Sequence, residues 1–157
     1  MRTVMRGTVI KTPTSSDFPV TDAALALADR LEEIVSRASD DGPVVELAVG
    51  NRPDVAAALA ERGPAVVATD VRDRAVPDGV SFVRDDLLDP DRSVYAGAVI
   101  LYARNLPGEL QRPSLSLAHT VDAPLYLTTL GAEEPVIPVE REPLPGETLY
   151  RAAPDGA

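Results

Sequence analysis

The 157-residue chain predicts an α/β fold: a doubly wound, mostly parallel sheet in a single domain. Three observations carry this. Residues 44–49 (Val-Val-Glu-Leu-Ala-Val) are a short apolar run closing on Gly50, the pattern of a strand buried on both faces. Residues 54–62 bring Val55, Ala58 and Leu59 together at helical spacing, and Gly63 stops that helix. Residues 65–69 are a second apolar run ending on Asp70, twenty positions after Gly50. Strand, turn, helix, strand and acid at this spacing make a βαβ unit. The acid falls where ribose hydroxyls are held in nucleoside-binding α/β folds.

The remaining elements follow in chain order. Residues 1–20 show no clear period and read as a mobile arm, with a short strand at 8–10. Thr21 is an N-cap with Asp22 in the first turn. Leu27, Leu31, Ile34, Val35 and Ala38 recur at three and four, so 22–39 is an amphipathic helix. After Asp70, residues 80–84 are a third strand closing on Asp85-Asp86. A loop over 87–96 contains at most one helical turn, and 98–102 is a fourth strand. Residues 109–121 form a helix that Pro113 starts or kinks. Residues 124–128 are a fifth strand. The proline-rich end holds two short strands, 136–140 and 147–151, joined as a hairpin across Pro143-Leu144-Pro145-Gly146. The domain thus runs from 21 to 152, with 153–157 as a tail. Strands alternating with helices call for right-handed crossovers in a parallel sheet.

Composition narrows the function classes. The net charge is −10, from 25 acids and 15 bases, and Lys11 is the only lysine. Such an acidic, arginine-over-lysine chain suits a salt-loaded cytoplasm, so a halophilic, cytoplasmic protein is expected. The acid excess argues against broad electrostatic nucleic-acid binding, which needs basic patches, although a local arginine-lined groove stays open. No apolar run approaches the ~20 residues of a membrane span. The absence of cysteine excludes disulfides, thiolate metal sites and cysteine nucleophiles.

Ligands of such sheets bind beyond the carboxyl ends of the strands. There the sequence stations Asn51 and Arg52, then Asp70, then Asp85 and Asp86, then Arg104 and Asn105. Four strands delivering polar groups to one edge is the main functional signal. Blander roles compete. Glu46 can brace its loop, Gly50 can simply close a turn, and Asp70 can pair with Arg72 or Arg74. Asp85, Asp86 and Asp89 read as a solvated acidic loop before they read as a cation site, and no metal site is assigned. Tyr95 and Tyr102 could stack on a ring or pack in the core. His119 lies within a helix away from this edge, and Ser114 and Ser116 lack a base, so no hydrolase triad is expected.

These stretches resemble the class I S-adenosylmethionine-dependent methyltransferase fold over residues 22–128. Its glycine-rich motif aligns with Glu46-Leu47-Ala48-Val49-Gly50-Asn51-Arg52. The resemblance implies S-adenosylmethionine as cofactor, with Glu46, Gly50, Asp70 (ribose) and Asp86 (adenine) binding it. Arg104 and Asn105, in Asn105-Leu106-Pro107, would face the methyl acceptor; no catalytic residue is assigned. The same stretches also resemble a small uncharacterised archaeal family of Rossmann-like proteins. Ala48 and Arg52 replace two motif glycines, so a non-catalytic nucleoside-binding or regulatory module is the alternative. A nicotinamide dinucleotide fits worse, because Pro53 removes a backbone donor for the pyrophosphate.

Overall fold

The computed structural model describes the backbone of residues 3–5, 8–10 and 21–153, with side chains over 21–153. The strand expected at 8–10 is present as β2 (Thr8–Ile10), paired antiparallel with β1 (Thr3–Met5). The rest of the arm and residues 154–157 of the tail lie outside the described residues.

Thr21 caps α1 (Asp22–Arg37) by accepting the Ala24 N–H at 3.1 Å, as its sequence position requires. β3 (Val44–Leu47), α2 (Asp54–Glu61) and β4 (Val66–Asp70) form the βαβ unit. They are followed by β5 (Val80–Arg84), a single 3-10 turn (Arg92–Val94) and β6 (Ile100–Ala103). Then come α3 (Gly108–Val121), β7 (Leu125–Leu127), β8 (Val139–Leu144) and β9 (Glu147–Ala152). The seven-stranded sheet has the order β5-β4-β3-β6-β7-β9-β8. The first five strands are parallel, and β9 runs antiparallel to both its neighbours. The order reverses between β3 and β6, the switch point at which open α/β sheets leave a crevice.

Each sheet face carries its own core. Val44, Ile100 and Tyr102 face α1 and α2 with Leu27, Leu31, Val55 and Leu59. Val45, Leu47, Leu101 and Leu125 face the other way, with Leu117 and Leu106. Central strands buried on both sides are why their sequences read as unbroken apolar runs.

One expectation is narrowed and one corrected. Of the two roles expected of Pro113, starting the helix is excluded, since α3 begins five residues earlier at Gly108 and Pro113 lies inside it. The carbonyl its missing N–H leaves free belongs to Glu109, an exposed first-turn residue. The hairpin is also shifted. Its first strand is Val139–Leu144, so Pro143 and Leu144 pair with Thr148 and Glu147, and only Pro145-Gly146 turn. Pro143 is tolerated because β8 is the sheet edge. Proline followed by a glycine at φ 84° is the residue order of a type II turn.

Candidate functional site

The loop after β3 sets the floor of the ligand edge. It needs two left-handed residues, Ala48 at φ 51° and Gly50 at φ 63°. The Gly50 N–H donates to Asp70 Oδ2 at 2.8 Å, tying the β3 loop to the end of β4. Asp70 Oδ1 accepts the Arg72 N–H at 3.0 Å and lies 3.4 Å from the Arg74 guanidinium. The glycine and acid picked out at twenty-residue spacing therefore touch.

Asp70 lines one wall of a cleft of about 400 Å³ beyond β4 and β5. Thr69, Ala48, Asp85, Asp86 and Leu87 line it too, with Val71, Leu88 and Leu110 supplying apolar walls. Val71 and Leu88 are 54% and 68% exposed, so two apolar lips stand open to solvent at its mouth. Asp86 Oδ1 accepts the Leu88 N–H at 2.9 Å, and Oδ2 has no partner among the described residues. Asp85 is turned inward, accepting from the buried Tyr95 hydroxyl at 2.6 Å and the Asp91 N–H at 3.1 Å.

Beneath the β3–β6 switch point is a buried polar cluster. Glu46 is 1% exposed and accepts the Tyr102 hydroxyl at 2.7 Å. Burial pushes its carboxyl up to about 8, against the pull of Tyr102 and Arg104. Arg104 folds back over β6 to bind Asp54 Oδ1 at 2.5 Å and approaches the Arg52 carbonyl at 3.4 Å. This clasp joins the loop after β6 to the first residue of α2. Glu46 Oε2, Asp54 Oδ2 and Arg104 Nε remain buried without hydrogen bonds. Arg52 is exposed and only 3.8 Å from Asp54 at its nearest.

The structure thus brings Asp70 and Asp86 to one cleft, ties Gly50 to Asp70 beside it, and sets the others elsewhere. Glu46 lies under the sheet–helix interface. Arg104 is committed to Asp54. Asn105 is exposed at φ 51°, its N–H donating to Thr128 Oγ1 at 2.9 Å. Tyr95 and Tyr102 are core residues, 0% and 1% exposed, so neither stacks on a ligand. His119 lines a separate cavity of about 340 Å³ with Asp122 and Arg151, at the opposite edge of the sheet. The Ser114 hydroxyl donates to the Leu110 carbonyl within its own helix. Sequence reasoning missed the apolar lips and Asp54. An acid in a helix's first turn reads as ordinary, and nothing local ties it to an arginine fifty residues on.

The model of the uncharacterised protein family UPF0146 matches residues 28–150. A UPF0146 protein of Halobacterium salinarum is 54% identical over 110 residues, covering 69% of this chain and 85% of its own length. One from Archaeoglobus fulgidus is 39% identical over 90 residues, 54% of this chain and 69% of its own. Among solved structures, an RNA methyltransferase from Salinibacter ruber in complex with S-adenosyl-L-homocysteine superposes with a TM-score of 0.55. It is 20% identical, over 85% of this chain and 92% of that one. Magnesium protoporphyrin IX methyltransferase from Synechocystis with bound S-adenosylmethionine gives 0.53 at 12% identity, over 80% and 76%. These likenesses establish a shared Rossmann-like, methyltransferase-type fold.

Proposed function

The chain belongs to the UPF0146 family, and from its ligand edge we propose that it binds S-adenosylmethionine and serves as a methyltransferase. The observation that carries this reading is the cleft itself. Its volume of about 400 Å³ falls within the roughly 300–1,000 Å³ of small-molecule sites. Its walls are largely apolar and open, suited to a planar base, and its polar groups are Thr69 and three carboxylates, Asp70, Asp85 and Asp86, at the ends of neighbouring strands.

The residues present fit an adenosine. Asp70 accepts one N–H on each oxygen; Oδ1 is shared with the Arg74 guanidinium, and Oδ2 keeps a second lone pair for a ribose hydroxyl. Asp86 Oδ2 is available to an adenine amino group. Val71, Leu88 and Leu110 exclude water from the ring. A Cβ on Gly50 would meet no atom within 4 Å, so the space before that turn is open. When bound, the cofactor supplies an electrophilic methyl group on a sulfonium. The protein then has to orient that methyl and an acceptor in line, and proximity supplies much of the rate.

Calorimetric titration in molar potassium chloride tests this, using S-adenosylmethionine, S-adenosylhomocysteine and a nicotinamide dinucleotide. Binding of the first two on the order of micromolar, lost in Asp70→Ala, is expected; absence of binding to both overturns the reading. A non-catalytic nucleoside-binding module is the second reading. It is favoured by Arg104, which turns onto Asp54 instead of toward an acceptor. Cofactor binding without methyl transfer to any amine, hydroxyl or nucleic-acid acceptor would select it.

A further inference from the structure

We propose that Glu46 and Asp54 compete for the Arg104 guanidinium, and that its exchange between them loosens the loop flooring the ligand cleft. The exchange stands apart from the methyl-donor reading, because it is visible without any ligand. The loop after β3, residues 48–53, is held from two sides. On the cleft side the Gly50 N–H donates to Asp70 Oδ2 at 2.8 Å, and the Val49 N–H to the Thr69 carbonyl at 2.9 Å. On the α2 side Arg104 Nη1 donates to the Arg52 carbonyl at 3.4 Å and to Asp54 Oδ1 at 2.5 Å. Glu46 stands at the foot of the same loop, two residues before Ala48, which lines the cleft. A change in which carboxylate holds Arg104 therefore reaches the cleft through the loop's own backbone.

The side chains of this cluster support two arrangements. Among the described residues, Nη1 does all of the hydrogen bonding of Arg104. Its Nε is buried without a partner, and so are Glu46 Oε2 and Asp54 Oδ2. The Nε and Nη2 hydrogens of an arginine form a planar fork that fits a carboxylate. That edge is the one left unused here, and Glu46 is a neighbouring carboxylate that Arg104 attracts. Asp54 keeps a counter-charge if Arg104 leaves. The exposed Arg52 guanidinium stands 3.8 Å from Asp54 Oδ2 and makes no other ion pair among the described residues. Closing that gap moves Arg52, which belongs to the loop.

The charge on Glu46 sets the balance. Tyr102 on β6 donates to its Oε1 at 2.7 Å, Arg104 follows β6, and Asp54 opens α2. Glu147 on β9 is a further acid that Arg104 attracts. Burial outweighs the pull of Tyr102 and Arg104, so Glu46 is neutral below about pH 8 and Arg104 stays with Asp54. Above that pH the buried carboxylate is ionised and demands a charged partner, because an unpaired buried charge is costly. Arg104 then turns its free edge to Glu46 and gives up the Arg52 carbonyl. The loop keeps only its anchor on the cleft side.

Nuclear magnetic resonance of the ligand-free chain, from about pH 6 to about pH 10, tests this across the range in which the raised carboxyl titrates. The Arg104 Nε–H and Gly50 N–H signals should shift together with one midpoint near pH 8. Glu46→Gln should hold both at their low-pH positions throughout. Tyr102→Phe removes a donor to the ionised carboxylate and should raise the midpoint. The affinity of the wild type for S-adenosylhomocysteine should fall roughly tenfold above the midpoint, as loss of one hydrogen bond from a charged group implies, and stay constant in Glu46→Gln. A shared titration that survives in Glu46→Gln, or an Arg104 signal that does not titrate, overturns the exchange. A Gly50 signal or a ligand affinity that ignores the titration of Arg104 overturns its link to the cleft. Failure of S-adenosylhomocysteine to bind at any pH overturns the methyl-donor reading alone, since the two signals report on the ligand-free chain.

Discussion

Ala48 holds a left-handed backbone at φ 51°, where an L-residue pays roughly 1–2 kcal/mol that glycine does not. The resemblance made Ala48 a motif glycine lost. The structure shows the backbone still bent as glycine would allow, with the methyl group on the cleft wall. Ala48→Gly removes the strain but adds about 0.5–1 kcal/mol of unfolded-state entropy. A net stabilisation of about 0.5–1 kcal/mol is expected by urea unfolding, and a loss of stability would show that the bend is not strained. Glu46 gives the second residue-scale prediction. Its carboxyl titrates near 8 when folded and near 4.5 when exposed. Between those values the folded chain keeps a proton that the unfolded chain has lost. Its contribution therefore falls as pH rises from about 4.5 to about 8, then levels off. Glu46→Gln keeps the neutral shape at every pH. The variant should gain on the order of 4 kcal/mol on the wild type between pH 5 and pH 8.5. Equal pH slopes in denaturant melts would remove Glu46 as the titrating group. The glycine and the strand-end acids were legible in the sequence because their signal is spacing. The roles of Asp54 and Arg104 were not, because a contact across fifty residues leaves no local pattern.

At the scale of elements, legibility followed the strength of periodicity. β3, β4, β6 and β7 read clearly because burial on both faces makes each a largely apolar run, while β5, at the sheet edge, is only partly buried. α1 read clearly because a one-sided apolar stripe and a capping threonine agree. The hairpin was misplaced by several residues for a physical reason. Proline normally signals the end of a strand, but on the outermost strand its missing N–H costs nothing. Pro143 is therefore paired with Thr148 rather than turning. Its exact register decides which side chain opens β9. The same holds for the loop after β6, where Asn105 takes φ 51° and hangs on Thr128 Oγ1. Sequence placed Arg104 and Asn105 together at the acceptor. Their consecutive side chains part company there, one folding under the sheet and the other staying in solvent.

For the whole molecule, the decisive quantity is the net charge of −10 on 157 residues. Two electrostatic effects oppose each other when salt is added. Screening weakens surface ion pairs such as Arg62 with Asp29 at 2.7 Å and Arg30 with Glu142 at 2.7 Å. Such exposed pairs contribute about 0–1 kcal/mol each, and the described residues offer few of them. Screening also relieves the repulsion among the excess carboxylates, which acts over the entire surface and favours the compact state once reduced. Molar potassium chloride shortens the screening length to about 3 Å, so repulsion beyond contact distance nearly vanishes. Relief of general repulsion should win. The melting temperature is expected to rise steadily from 0.1 M to 2 M potassium chloride, by several degrees for each ~1 kcal/mol gained. A fall in melting temperature over that range would mean that specific pairs outweigh the net charge. The binding experiments therefore belong in high salt, where the fold is most secure.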